Sequence, residues 1–263
     1  MENIFKRLDF VIQISEEITK HFDKSKREEV TLFSLCILDR LNFSSESLKI
    51  LMDKFLSNTK VEYSCGIIIR SVLLDYLIVL NAHEIYDRNL KNSQNFYLEL
   101  KDYSIMMLCD TVRKTLEYLE SLKNQFTKED IGKMYINLVA MNPECFEIYN
   151  NNGSKPIIKS KEYRSPQKLF NTLMKSKKFK NYRGIYEIYL FYSKYEHFGQ
   201  MFYGLSRKTP IDQLANIDKA IKEFPRVLLF TVIILETLYG SDNFLKVKYQ
   251  EIVSFMDEID KMI

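Results

Sequence analysis

Glycine and proline are scarce, at 7 and 5 in 263 residues. So few turn formers cannot furnish the hairpins of a many-stranded protein, and long helices are expected instead. Histidine occurs only 3 times. No H-E-x-x-H or C-x-x-C spacing is present, so no metal site is expected. A glycine-rich phosphate loop and a G-x-S-x-G elbow are also missing, which removes two large enzyme classes. No cofactor is expected. The cysteines, Cys36, Cys65, Cys109 and Cys145, stand 29 or more residues apart in apolar surroundings, as reduced buried thiols do. The N-terminal stretch "MENIFKRLDFVIQISEE" carries scattered charges and no apolar run of signal-peptide length. The longest apolar run, Val227 to Leu235, falls far short of the roughly 20 residues of a membrane span. The expectation is a cytoplasmic protein with no membrane partner.

The chain is 46% hydrophobic and 28% charged, the balance of a globular protein with a full core. Apolar residues recur at helical spacing through Ile4, Leu8, Val11, Ile12, Ile18 and Phe22. A second helix is predicted over about 27–41, and Ser44 reads as the N-cap of a third. "VEYSCGIIIRSVLLDYLIVLNAHEIYD" is apolar almost all round, the mark of a central helix. A long helix is predicted from Phe96 to Leu122. Thr127 with Asp130 resembles a capping box opening a shorter helix that stops before Pro143. Ser165-Pro166 and Thr209-Pro210 each read as N-cap plus first-turn proline. Pro225 should break or kink the helix that begins at Pro210, and Ser241 should cap the last one. The predicted fold is an all-α, multi-helix bundle of about nine or ten helices. Residues 1–58 read as N-terminal helices packed on a core domain over 59–263, with a basic insertion at about 150–183.

Charge is unevenly spread. Lys155 to Arg183 holds ten Lys or Arg against one acid, Glu162, which makes that segment about +9 and the remainder about −6. Such a block is either a solvated loop or an electrostatic footprint for phosphates or an acidic partner. Lys175, Lys177, Lys178, Lys180 and Arg183 are its candidate nucleic-acid-binding residues.

The stretch "IYLFYSKYEHFG" raises a different question. At about 100° per residue, Ile188, Phe191, Tyr192, Tyr195, Phe198 and Phe202 share one side of a helix. Tyr186, Tyr189, Ser193, Glu196, His197 and Gln200 share the other. The aromatic stripe reads as a core face, and the second face gathers hydroxyls, a carboxylate and an imidazole. His197 has the reference pKa of a general acid or base, or it is a structural histidine held by Ser193. Arg70 lies on a face of its helix with Tyr63, Gly66, Ile67, Leu74, Leu77 and Asn81. A guanidinium there needs a carboxylate or an anion, and Glu196 is one candidate. Asp75, about 140° around the helix, is a poor partner. His83 and His21 read as structural.

Two fragments together resemble the bacterial domain-of-unknown-function family 5677. "IIIRSVLLDYLIVL" is similar to that family's R-S helix, and "YEIYLFYSKYEHFG" to its later Y-x-x-x-S-x-x-x-H helix. The resemblance covers roughly 60–240 and matches at Arg70, Ser71, Ser193 and His197. The family's acid, four residues after the arginine, falls on Leu74, with Asp75 one place later. A looser likeness is to HEPN-type helical proteins, many of them metal-independent ribonucleases of toxin and phage-defence systems. Their arginine precedes a histidine by four to six residues, a spacing not found here. Such chemistry would have to be assembled from Arg70 and His197 on separate helices.

Two functional classes follow. One is a nucleic-acid-linked protein, a ribonuclease of a bacterial toxin or phage-defence system. There Arg70 would stabilise phosphate charge, His197 would move the proton with Ser193 and Glu196 beside it, and the basic block would hold the backbone. Its partner is RNA or another phosphate-bearing ligand. The other is a non-catalytic helical interaction module, with a second copy or another protein as partner and the same residues as a buried polar network.

Overall fold

The computed structural model describes residues 1–22, 28–55, 57–90, 93–149, 154–160, 162, 164–194 and 209–261, with the side chains at 59, 93, 180, 181, 260 and 261 outside that description. Among the described residues there are ten α-helices and no strand, only an isolated bridge between Phe146 and Ile158. In chain order they are α1 (Glu2–His21), α2 (Glu29–Phe55), α3 (Glu62–Arg88), α4 (Ser93–Ser121) and α5 (Lys128–Met141). After them come α6 (Pro166–Lys175), α7 (Arg183–Ser193), α8 (Pro210–Ile221), α9 (Phe224–Leu238) and α10 (Asn243–Lys261). Short 3₁₀ turns occupy Thr59–Val61, Pro143–Cys145 and Lys178–Tyr182. The all-α bundle expected from the scarcity of turn formers is what the chain forms.

Several helix starts follow from local capping chemistry. Thr127 and Thr209 each accept a hydrogen bond from the backbone N–H three residues on, and satisfy an otherwise orphaned donor. Pro225 sits in the first turn of α9 and separates it from α8. Two expected boundaries are corrected. Ser44 caps nothing: α2 runs unbroken through it, and the next serine, Ser45, donates to the Leu41 carbonyl within the helix. The last helix is capped by Asp242, not Ser241, because the Asp242 carboxylate accepts from the Phe244 N–H at 2.8 Å.

The chain divides into two compact units, one of residues 1–26, 34–88 and 166–263, the other of 27–33 and 89–165. In the first, α3 is the central helix and packs on α6, α7, α8 and α9. It is long and apolar enough to cross a membrane by composition, but 67% of its apolar window is buried inside the protein, as in a core helix. Arg7 of α1 is fully buried and closes on Asp218 of α8 at 2.6 Å, the pairing a buried guanidinium needs. The second unit is built on α4 and α5. Leu116, Ile131 and Tyr135 form one cluster, and Cys109, Val112, Cys145 and Phe146 another.

Candidate functional site

Helix α3 carries a polar cluster near each end. Toward its N-terminal end, Tyr63 and Ile67 are 41% and 37% exposed and Arg70 is half-buried. Arg70 stands just before Val72, from which α3 is buried on most sides. The Arg70 guanidinium lies over the Tyr189 ring of α7, 5.5 Å from its centroid, and donates a long hydrogen bond of 3.4 Å to the Tyr189 hydroxyl.

Its sequence neighbours belong to another partner. Arg40 of α2 donates to the Asp75 carboxylate at 3.0 Å and to the Ser71 hydroxyl at 3.0 Å. Burial raises the Asp75 carboxyl to about 6, against the pull of the Arg40 charge. Asp75 and Ser71 thus join α3 to α2, and the arginine that does this was not singled out in the sequence. Its only trace there is a charged pair, Asp39 and Arg40, inside the apolar run "LCILDRLNF".

Helix α7 runs antiparallel to α3. Phe179, just before it, meets His83; Tyr182 meets Tyr76; Tyr189 meets Arg70. The phase of α7 differs from the expected one. Ile185, Tyr186, Tyr189 and Tyr192 are buried, so Tyr186 and Tyr189 belong to the core face. Ile188 and Phe191 are half-buried and line a cavity of about 570 Å³ with Lys219, Glu223 and Arg226. Tyrosines supply both apolar area and hydroxyls, so periodicity could show two faces without showing which turns inward. Ser193 donates to the Leu190 carbonyl at 2.7 Å within its own helix. Glu196 and His197 lie outside the described residues.

The second cluster surrounds His83, thirteen residues and about 20 Å further along α3. His83 is buried among Phe179, Phe230 and Tyr86, and burial holds its imidazole down at about 4. Its Nδ1 stands 3.7 Å from the Asp87 carboxylate, too far for a direct hydrogen bond. The Lys178 ammonium sits 2.6 Å from that same carboxylate. His83, Asp87 and Lys178 line a second cavity of about 470 Å³ with Glu236 and Tyr249. A neutral imidazole beside a carboxylate–ammonium pair can take up a proton, and an exposed ammonium can meet an anion. His21, also read as structural, pairs with Asp242 at 2.7 Å.

The basic residues fall at this second end. Lys175, Lys177, Lys178 and Arg183 are exposed, on a segment whose backbone is anchored by the buried Phe179. Lys178 pairs with Asp87, and Arg183 with Glu187 at 3.3 Å. The Lys180 side chain is outside the described residues. No group of three or more His, Cys, Asp or Glu able to hold a metal occurs among the described residues. A scan against protein-family models, a search of curated proteins and a search of solved structures each found no match.

Proposed function

We propose that the protein is an RNA-binding helical protein whose binding surface runs from the end of α6 to the start of α7. The exposed cations Lys175, Lys177, Lys178 and Arg183 carry this reading. They are crowded into nine positions on an anchored backbone, where a flexible solvated loop would have no reason to be held by a buried phenylalanine. Within the same proposal, Arg70 is the phosphate-stabilising group and His197 the proton carrier of a metal-independent ribonuclease. The packing of Arg70 on Tyr189, in the helix that leads toward His197, supports that pairing.

The test is the salt dependence of binding to single-stranded RNA. Each phosphate neutralised contributes roughly 0.7 to the log–log slope. Changing Lys175, Lys177 and Lys178 together to Gln should reduce both affinity and slope. His197→Ala should leave binding nearly intact and remove cleavage. A wild-type protein with no salt-dependent binding to RNA or DNA would end this reading.

A second reading, a non-catalytic interaction module, has its own support. Lys178 and Arg183 already face carboxylates, and Asp75 and Ser71 are both engaged by Arg40. In that case these residues fix helix packing, and the protein binds another protein or a second copy of itself.

A further inference from the structure

Two of the four cysteines, distant in sequence, are brought into one small cluster in the second unit. Cys109 lies on α4 and Cys145 closes the 3₁₀ turn after α5. Both are fully buried and share a core cluster with Val112 and Phe146. The Cys109 thiol also lies 3.5 Å from the Cys145 carbonyl oxygen. A hydrogen bond from the Cys145 thiol, helped by the backbone N–H of Ser160 and the charges of Arg113 and Lys159, holds Cys109 below the ordinary thiol range against the effect of burial. Cys145, the donor, is pushed up. Cys65 is a contrast within the same chain: burial and the Glu62 carboxylate push its thiol up to about 12, the state of an inert core cysteine.

We infer that Cys109 and Cys145 are a dithiol modification site, oxidised by a hydroperoxide to an intramolecular disulfide. In the first step the Cys109 thiolate attacks a peroxide oxygen. The O–O bond breaks, the departing oxygen takes a proton to leave as an alcohol or water, and Cys109 becomes a sulfenic acid. In the second the Cys145 sulfur attacks the Cys109 sulfur. An S–S bond forms, the S–O bond breaks, and the hydroxide leaves with the Cys145 proton as water. Two electrons pass from the thiols to the peroxide, and a thiol reductant reverses the change.

Access for the oxidant comes from the segment that holds Cys145, not from α4. Among the described residues that segment is fastened, outside its 3₁₀ turn, by one isolated bridge and by Arg113, which donates to the Ser160 and Glu162 carbonyls at 2.9 Å each. Its backbone hydrogen bonds are Glu147 N–H to the Ile157 carbonyl and Lys159 N–H to the Cys145 carbonyl, each 2.9 Å. Two such bonds open far more readily than a packed helix. Forming a sulfur–sulfur bond of about 2.05 Å draws the two side chains together, and the Cys145 segment supplies that movement.

The experiment uses the full chain, reduced and then exposed to hydrogen peroxide, with free thiols alkylated under denaturing conditions. Wild type should lose two of its four thiols, and a reductant should restore them. Digestion should yield one cross-linked species joining tryptic peptides 102–113 and 134–159. Cys145→Ser should stop at a Cys109 sulfenic acid that a dimedone probe captures, while Cys36→Ser should oxidise as wild type does. Four free thiols after peroxide, or a disulfide involving Cys36 or Cys65, would overturn the assignment. The wild-type peptide map decides the matter even if Cys145→Ser does not fold.

Discussion

The middle of α3 buries a carboxylate beside a half-exposed arginine; its C-terminal end buries an imidazole beside a lysine–aspartate pair. Desolvation acts on both and drives them in opposite directions, Asp75 up to about 6 and His83 down to about 4. Each moves toward its neutral form. The lesson is that an ion pair does not by itself hold a buried group at its ordinary pKa. Arg40 reaches Asp75 at 3.0 Å, but its side chain is 50% exposed against 3% for the carboxylate, and burial outweighs it.

The largest expected effect separates these two sites by their pH dependence. His83 binds more protons unfolded than folded between its folded value of about 4 and the ordinary 6.5, so its contribution rises with pH and is complete above 6.5. Asp75 binds more protons folded between 3.8 and about 6, so its contribution falls as pH rises through that window. In the wild type the two slopes oppose. His83→Leu should then lose stability from pH 4 to 6, and Asp75→Asn should gain it, each by on the order of 2 kcal/mol. Urea unfolding at half-unit steps of pH reads both; parallel profiles for the two variants would remove the contrast.

Arg40→Ala leaves the Asp75 carboxylate buried without its cation. A loss of about 2 kcal/mol is expected at pH 7.5, toward the low end for buried pairs because Arg40 is half-exposed. The loss should shrink below pH 5, and Asp75→Asn in the same chain should recover much of it. A loss independent of pH would mean that Arg40 acts through packing alone.

The smallest effect concerns Arg70. Tyr189→Phe keeps the ring under the guanidinium and removes only the long hydrogen bond, whereas Tyr189→Leu removes both. The Leu variant should be less stable than the Phe variant by about 0.5–1 kcal/mol. Equal stability would assign no energy to the stacking.

The helical plan was legible because caps are local. Thr127, Thr209 and Pro225 act through neighbours within a few residues, so their spacing states their role. The errors arose where an outcome depends on distant partners. Ser44 has the chemistry of a cap, but α2 continues because the residues after it, Leu48, Met52 and Phe55, are buried in the same helix. The phase of α7 was hidden because Tyr186 and Tyr189 serve equally as polar or core residues until α3 is placed beside them. Arg40 was missed because nothing near Asp75 in sequence points to a helix thirty-five residues earlier. The apolar context of His83 does not reveal that Asp87 and Lys178 converge on it.

The central position of α3 has a consequence for synthesis. Its packing partners α6, α7, α8 and α9 all follow Pro166, whereas α3 ends at Arg88. At roughly 5–20 residues per second, the ribosome needs on the order of 5–15 s to make the intervening chain. Through that interval a helix apolar enough to enter a bilayer emerges with none of those four helices yet made. The apolar faces of α3 therefore wait for those partners while the chain is made, and the first unit closes only after synthesis has passed Pro166.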